Sequence, residues 1–419
     1  MRAITRSAAR SGARLVTAPV ACAVALVAVI AARVARPLVL VRIGRLPSHE
    51  IGHYATNVEV HLCERDAGVH DLPRRTIDLW YRAPGHPVAN RQLDRMWARV
   101  IRIVPSWLGR WADAVNRALP GGAAHAIVHH DRDAHGLYPT MPPHLGFTDA
   151  ERRVGEEFLR RVTGESHPRW VCLAVRDAAY KRAQFSDRDA HKDAYRNASI
   201  AAYRLAARRL ADDGYWVFRM GAAVAEPLGV DHPRVVDYAT NGMRTDFLDV
   251  YLGAHCAFCI TTGLGIDSIP EIFRRPRLFT NYIPVANFGK YGPDVVLLPK
   301  QYRLAVAGAA PAHPAAGRLL GLADLARLPG MGGCTDAYEY ERAGIALEEN
   351  SPEEILEAAL EVRARLEGTW RDGDGDDARQ RAFWERYATL EPTPIRNVAG
   401  YRPRIGAAFL RAHPHWTAP

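Results

Sequence analysis

The sequence predicts an α/β protein whose parallel sheet is covered by helices on both faces. Short apolar runs of four to six residues alternate with helical patterns through the second half of the chain, and such runs are typical of strands buried on both faces. Hydrophobic residues make up 48% of the 419 residues and charged residues 24%, which excludes a disordered, collagen-like or coiled-coil chain. We therefore expect a doubly wound α/β domain in the second half of the chain.

The second half contains the regular elements. Predicted strands cover 170–175, 215–220, 235–238, 256–261, 277–280 and 294–298. Predicted helices cover 148–162, 200–210, 247–254, 269–273 and 378–387, and another starts at Ser351, where serine followed by proline is typical of a helix start. Ligands bind beyond the carboxyl ends of strands in such sheets, so the residues after each strand are the candidates.

The first half is less regular. An apolar run over 37–43 ends at a glycine, the alternation over 57–63 is typical of a strand, a further apolar run covers 77–81, and a helix is expected near 92–103. The expected boundaries are an anchor over 1–36, a first α/β domain over 37–163, a second over 164–395, and a last helix in 396–419 that crosses back to the first domain.

The amino-terminal region contains an uncharged stretch over 15–32 with arginines on both sides. Its 18 residues are near the lower limit for a membrane span, because about 20 are needed to cross the hydrocarbon core. Three alternatives stay open: a single uncleaved span, an interfacial helix held by arginine against acidic lipids, and a buried helix of the fold. The first two place the protein at a membrane.

Charge and cysteine usage limit the partners. Lys plus Arg number 55 against 46 Asp plus Glu, which favours anionic partners, but no basic run interleaved with aromatic residues indicates nucleic-acid binding. The six cysteines are too few and too scattered for a disulfide framework. Cys256 and Cys259 lie in an apolar run, so buried packing is expected there, with a metal or redox role as the alternative.

Two arginines follow neighbouring predicted strands. Arg176 comes after the first, where Asp177 would orient its guanidinium toward a phosphate or carboxylate, or form a bracing ion pair with it. Arg219, followed by Gly221, ends the next strand at a comparable height. We expect the two guanidinium groups to contact one anion.

The run 261–270 (TTGLGIDSIP) predicts a strand, a turn and a helix start. Gly263 and Gly265 let the backbone approach a ligand, and the amides near Ser268 would form an anion site, although plain turn packing is the alternative. The spacing is neither the dinucleotide fingerprint nor a phosphate-binding P-loop. Asp246 comes just after Thr245, which is expected to cap a helix; a ligand contact from Asp246 is the minor alternative.

Polar residues of the first domain cluster around a loop expected to face the second domain. They are Arg42, Arg45, Ser48, His53, Asn57 and Glu59. His53 is the natural general base, because imidazole titrates near neutrality, and a structural hydrogen-bonding role is the alternative. The Asp-x-Asp patterns at 131–133 and 187–189 lie in polar stretches, so no metal site is predicted.

Taken as a set, several motifs resemble an uncharacterised bacterial glycosyltransferase family found among surface-polysaccharide genes. The likeness runs from about residue 37 to the carboxyl end. The motifs are Arg42-Ile-Gly-Arg45, Val175-Arg-Asp177, Tyr195-Arg-Asn197, Phe218-Arg-Met-Gly221, Asp237-Tyr-Ala239, Asp246-Phe-Leu-Asp249 and 262–270.

This resemblance implies a GT-B-like architecture, in which two Rossmann-like domains face a cleft, the first meeting the acceptor and the second a nucleotide-sugar donor. The stretch Ala174-Val-Arg176 is similar to the His-x-Arg pattern of GT-B fucosyltransferases, with alanine where histidine is usual, so the donor sugar stays open. Basic side chains and a helix start replace a metal in such enzymes, and the nucleotide sugar is a co-substrate rather than a cofactor.

We therefore expect a membrane-associated, metal-independent glycosyltransferase at the cytoplasmic face of the inner membrane. It would move a sugar to a lipid-linked or other glycan acceptor in surface-polysaccharide assembly. His53, Glu59 or Asp177 would take the proton of the acceptor hydroxyl. The alternatives are a transferase of another group, such as pyruvyl, and a non-catalytic, membrane-bound nucleotide- or glycan-binding protein.

Overall fold

The computed structural model describes residues 19–179, 191–305, 317–327, 336–390 and 401–418. The chain divides into two compact units, unit 1 with residues 1–131 and 143–146, and unit 2 with 132–142 and 147–419. The predicted boundary at 163 is therefore too late. The helix Asp149–Thr163 belongs to unit 2, where its Phe158 is buried. The predicted Asp187-Arg-Asp189 pattern lies outside the described residues.

Unit 1 contains a small parallel sheet, whose strand order is β1-β2-β3. The strands are β1 (Leu40–Leu46), β2 (Thr76–Arg82) and β3 (Arg102–Val104). The helices that follow β1, β2 and β3 are α1 (Ile51–Asp66), α2 (Arg91–Val100) and α3 (Ser106–Ala118).

The predicted strand over 57–63 is wrong, because these residues lie inside α1. Every residue of α1 from Tyr54 to Glu64 is buried, including Glu59 and His61. The polar residues of this segment therefore do not mark a solvent face, and their alternation with valine and leucine carries no strand information.

A helix over residues 19–34 precedes the first strand. One face of it is buried, since Ala25 and Val29 belong to an apolar cluster of unit 1 that also contains Ile43 and Tyr81. Arg33 donates to the backbone carbonyl of Pro120 over 2.7 Å. Within the described ranges, no helix combines the length and the apolar character that crossing a membrane requires.

Unit 2 is built on a parallel sheet of seven strands within the described residues, which confirms the predicted α/β class. Its strand order is β13-β9-β8-β7-β4-β5-β6. The strands are β4 (Trp170–Ala174), β5 (Trp216–Arg219), β6 (Val235–Val236), β7 (Phe258–Thr261), β8 (Arg277–Tyr282), β9 (Val295–Pro299) and β13 (Arg404–Ile405).

An antiparallel sheet that the sequence analysis did not predict adjoins this core, in the order β11-β10-β12. Its strands are β10 (Gln301–Ala305), β11 (Gly317–Leu320) and β12 (Ile345–Glu348). The helices of unit 2 are α4 (Asp149–Thr163), α5 (Arg204–Asp212), α6 (Asp246–His255), α7 (Ser268–Ile272), α8 (Leu322–Ala326), α9 (Ala337–Arg342), α10 (Pro352–Leu366), α11 (Asp376–Tyr387) and α12 (Ala407–Ala412).

The carboxyl-terminal residues belong to unit 2, and a return of the last helix to the first domain stays a prediction. Strand β13 pairs with β9, and α12 packs on α10 and α11. Burial of apolar side chains holds this segment on unit 2, because Phe409, Leu410 and Trp416 are buried in its main core.

Two local predictions for unit 2 are confirmed. Ser351 caps α10 by accepting the amide of Glu354 over 3.2 Å, with Pro352 in the first turn. Cys256 and Cys259 are buried free thiols beside and within β7, which agrees with the packing interpretation.

Candidate functional site

The sheet of unit 2 has its topological switch point between β4 and β7. Strand β4 has β5 on one side and β7 on the other, so the direction of strand succession reverses there. In open α/β sheets ligands bind in the crevice outside the carboxyl ends of the strands at this point. The residues that follow the two strands are 175–177 and 262–267.

Arg176 is anchored at the switch point by its backbone. Its amide donates to Oγ1 of Thr262 over 2.9 Å, and the Thr262 amide donates to the Ala174 carbonyl over 3.3 Å. The Arg176 side chain is 13% exposed, and its Nη2 lies 3.1 Å from Oδ2 of Asp193. Its buried Nε has no hydrogen-bond partner among the described residues.

Arg196 is the second basic group at this point, and its Nη2 donates to the Gly263 carbonyl. Burial, followed by the nearby charge of Arg196, lowers the pKa of Arg176. Two guanidinium groups in this position attract an anion, because a bound phosphate would offset their mutual repulsion. We call Arg176, Arg196, Thr262 and Gly263 the switch-point site.

The glycine turn after β7 does not form the predicted anion site at a helix start. Gly263 adopts a φ of +80°, and its amide donates to Oγ1 of Thr261 over 3.1 Å. The Leu264 amide donates to Oδ2 of the buried Asp267 over 2.7 Å. Helix α7 has only five residues, so its dipole is small.

Gly265 and Ser268, the two other predicted residues of the turn, lie in the same hydrogen-bonded loop. Gly265 starts a short 3₁₀ turn that ends at Asp267, and Ser268 is the buried first residue of α7. Because the Asp267 carboxylate occupies the turn, Ser268 and Gly265 act here as parts of a braced loop.

Arg219 does not present its charge at the site, which corrects the prediction of a second phosphate-binding arginine. The residue is 0% exposed, its Nη1 donates to the Met220 carbonyl over 2.9 Å, and its Nη2 lies 3.9 Å from Oδ2 of Asp177. Burial lowers the pKa of Arg219, against the opposing charges of Asp237 and Asp177. Gly221 packs on it, since a Cβ there would lie 2.8 Å from Nη1 of Arg219.

Asp177 holds together the loops after β4 and β5. Its Oδ1 accepts the Ala179 amide and its Oδ2 the Ala225 amide, both over 2.8 Å. Asp246 is the partly buried first residue of α6, and Thr245 caps that helix by accepting the Leu248 amide over 3.1 Å. The capping interpretation of Thr245 is confirmed, and a ligand contact from Asp246 stays a prediction.

A cavity of about 420 Å³ lies beside β6 in unit 2, within the usual size range of small-molecule sites. Asp237, which the sequence analysis named only within a motif, contributes to its wall. Oδ2 of Asp237 accepts the Leu228 amide over 2.7 Å, and its buried Oδ1 has no hydrogen-bond partner in the described part of the chain. The lining residues are Pro227, Leu228, Gly229, Val230, Asp231, Val235, Asp237 and Thr240.

In unit 1, polar side chains gather near the end of β1. His53 is about half exposed, and its Nδ1 lies 3.5 Å from Oδ2 of Asp131. Asn57, one turn further along α1, has its Nδ2 2.9 Å from Nδ1 of His129, whose Nε2 lies 3.0 Å from the Arg45 carbonyl. We call these five residues the His53 cluster. The sequence analysis placed Asp131 in a solvated loop and did not select His129.

Arg42 is not part of the His53 cluster, and the structure does not support a contact between its side chain and an acceptor. It is 5% exposed and binds Asp78 with both ends of its guanidinium, over 2.7 and 2.8 Å. Against the effect of burial, hydrogen bonds from His61 and Arg42 hold the pKa of Asp78 well below its usual range. Arg42 therefore ties β1 to β2.

Glu59 is also withdrawn from the surface. It is 0% exposed, and the backbone amide of His144 donates to its two oxygens over 3.3 and 3.4 Å. An acceptor hydroxyl has no access to a carboxylate in this position, so the predicted role of Glu59 as a base is not supported.

No family model and no curated protein matches this chain. Among solved structures, it is similar to the ADP-heptose lipopolysaccharide heptosyltransferase II of E. coli, with 13% identity, coverage of 57% of this chain and 84% of that chain, and a TM-score of 0.34. It is also similar to a family 9 glycosyl transferase of Veillonella parvula, with 10% identity, coverage of 62% and 86%, and a TM-score of 0.37.

A further E. coli heptosyltransferase matches with 12% identity over 61% of this chain and 92% of that chain, at a TM-score of 0.31. All three similar structures are those of glycosyltransferases. TM-scores of this size do not establish a shared fold, so the α/β class rests on the observed strand topology.

Proposed function

We propose that this chain is a glycosyltransferase that moves a sugar from a nucleotide-sugar donor to a glycan acceptor. The observation that carries the proposal is the pair of arginines, Arg176 and Arg196, at the switch point of a parallel sheet. A buried Nε without a protein partner on Arg176 leaves a donor available for a phosphate oxygen.

The chemistry follows from this charge. In glycosyl transfer the bond between the sugar carbon and the diphosphate oxygen breaks, the acceptor oxygen bonds to that carbon, and negative charge grows on the departing diphosphate. Fixed guanidinium groups stabilise that charge more in the transition state than in the ground state. We propose that Arg176 and Arg196 supply this stabilisation and that transfer needs no metal at the diphosphate.

His53 is the proposed general base. Its half-exposed ring is open to a substrate hydroxyl, and Oδ2 of Asp131 lies 3.5 Å from its Nδ1, where a carboxylate would orient the ring. Asp177, the other candidate, already accepts two backbone amides. We therefore assign the proton transfer to His53 and a structural role to Asp177.

We further propose that the acceptor is lipid-linked and that the 19–34 helix lies in the interface of the inner membrane, at its cytoplasmic face. The face of this helix away from Ala25 carries Val20, Val27 and Val34, which are 65%, 68% and 75% exposed. An exposed apolar stripe next to arginines is typical of helices that bind acidic lipid surfaces.

The activity is tested by incubating the full chain with a panel of nucleotide sugars and measuring release of nucleoside diphosphate. Slow release from one donor, accelerated by a lipid-linked glycan acceptor, is expected. Thermal stabilisation by nucleotides without turnover would instead indicate a binding protein, and product from phosphoenolpyruvate a pyruvyl transferase. The proposal would be refuted if the chain bound none of the nucleotide sugars and released nucleoside diphosphate from none of them.

The membrane contact is tested separately by flotation with vesicles of phosphatidylglycerol and phosphatidylcholine. The chain should float with acidic vesicles, and Val27→Glu should reduce this. Arg117→Glu, a charge change on the exposed end of α3, is the control. Equal flotation of the chain and of Val27→Glu would exclude the 19–34 helix as the contact.

A further inference from the structure

We propose that unit 1 holds a zinc ion between Glu59, Cys63 and His144, a site that is separate from the proposed donor site in unit 2. Glu59 and Cys63 lie one turn apart on α1 and are 0% and 1% exposed. His144 belongs to residues 143–146, which are part of unit 1 although the flanking residues are part of unit 2. One donor atom from each of the three side chains lies within 4.8 Å of the other two.

The separations between these atoms match those of zinc ligands. Nδ1 of His144 lies 3.3 Å and Sγ of Cys63 lies 3.8 Å from Oε1 of Glu59. Zinc bonds of about 2.0 Å to nitrogen or oxygen and about 2.3 Å to sulfur, at tetrahedral angles, place ligand atoms about 3.3 to 3.5 Å apart. A shift of a few tenths of an ångström at Cys63 would complete the geometry.

His144 is oriented as a metal-binding histidine is. Its Nε2 lies 3.1 Å from Oδ2 of Asp66, so the ring proton is placed on Nε2 and the lone pair on Nδ1 faces Glu59 and Cys63. A carboxylate on the far nitrogen is the usual second partner of a zinc-bound histidine. Nδ1 itself is buried and lacks hydrogen-bond geometry toward any described acceptor.

The donor set identifies the ion. Thiolate, imidazole and carboxylate together suit Zn²⁺, whereas Mg²⁺ and Ca²⁺ bind almost entirely through oxygen. Three protein ligands leave a fourth position for water, and the 16% exposure of the His144 side chain gives solvent access to it. The ion would fasten residues 143–146 to α1. This inference departs from the sequence-based expectation that the chain has no metal site.

The test is a titration of the chelator-treated full chain with Co²⁺, which takes zinc positions and reports on its ligands. We expect a thiolate-to-cobalt charge-transfer band in the near ultraviolet with the visible bands of tetrahedral cobalt, saturating at one ion per chain and abolished by Zn²⁺. Absence of the thiolate band in the folded protein would overturn the proposal, whatever the variants do.

Variants then assign the ligands. Cys63→Ser and His144→Ala should lose the thiolate band, with folding checked by circular dichroism. His70→Gln is the control, because His70 is another partly buried histidine of unit 1 that pairs with Glu64, with 3.0 Å between Nε2 and Oε2. If the band were lost in His70→Gln but kept in Cys63→Ser and His144→Ala, the ion would not be bound by Cys63 and His144.

The competing arrangement is an ion pair in which a protonated His144 lies between Glu59 and Asp66. It predicts no cobalt band in the wild-type chain and lower stability of His144→Ala. Because nucleoside diphosphate binding is measured without reference to the ion, failure of this inference is distinguishable from failure of the proposed function.

Discussion

Replacing Arg176 with alanine is expected to weaken binding of the donor's nucleoside diphosphate while leaving unit 2 folded. The side chain is mostly buried, yet its Nε has no hydrogen-bond partner among the described residues, and its Nη2 lies 3.1 Å from Oδ2 of Asp193. The remaining donors of the guanidinium are therefore the groups with which a diphosphate would pair.

The magnitude follows from the number of bonds lost. A hydrogen bond to a charged group contributes about 1.5 to 3 kcal/mol, and since 1.4 kcal/mol is tenfold in affinity, the loss of one such bond should raise Kd about 10- to 150-fold. The ion pair with Asp193 is partly exposed, and such pairs contribute about 0 to 1 kcal/mol to stability. The melting temperature should therefore fall by no more than about 4 °C.

Isothermal titration with a panel of nucleoside diphosphates measures the affinity. Arg209→Ala is the matched control, because Arg209 lies on α5, carries the same charge and forms an exposed ion pair with Asp213, the residue after the helix. Kd should rise only in Arg176→Ala, and Arg176→Lys should recover part of the loss, since lysine keeps the charge but not the planar fork. Equal effects in the alanine variants at positions 176 and 209 would mean that only the overall charge matters, and the proposed donor site would be wrong.

Three further outcomes are expected. Arg219→Ala should lower the free energy of unfolding by about 2 to 4 kcal/mol in urea titration, because it empties a fully buried position and removes the hydrogen bond to the Met220 carbonyl; unchanged stability would refute this. His53→Gln should reduce kcat about 100- to 10,000-fold without changing nucleoside diphosphate affinity, and full activity would exclude His53 as the base. Burial raises the pKa of Asp249 to about 6, so its contribution to stability is present at pH 4 and lost as the pH rises through 6. Asp249→Asn should remove about 3 kcal/mol of that pH dependence, and an unaltered slope in denaturation between pH 4 and 6 would contradict the assignment.

The sheet of unit 2 could be predicted because its central strands are buried on both faces. All residues of β4, β5 and β7 are buried, so composition alone marks them, and turn residues mark their ends. The antiparallel strands β11 and β12 are only partly buried and carry charged residues, so the same criterion does not find them.

Helix α1 shows where an amphipathic pattern fails. Pattern analysis assumes that polar residues face water, but in α1 the polar residues are buried against partners from distant parts of the chain. Nε2 of His61 lies 3.0 Å from Oδ2 of Asp78, and the carboxylate of Glu59 accepts a hydrogen bond from the backbone amide of His144. Such partners cannot be read from the segment itself, which is why the strand assignment was wrong and why the burial of Glu59 was not foreseen.

The contrast between Arg176 and Arg219 has a geometric origin that sequence position does not reveal. Both were expected at the rim of the sheet because each comes at the end of an apolar run. The register of β4 and β5 pairs Arg219 with Leu173, so Arg219 is level with the interior of the sheet, and Arg176 lies three residues beyond that level. The height of a residue in a parallel sheet depends on this pairing, which is set by packing between strands. Arg196, the last residue of a short 3₁₀ helix over Ala194–Arg196, therefore lies at the switch-point site, in the place that the sequence pattern gave to Arg219.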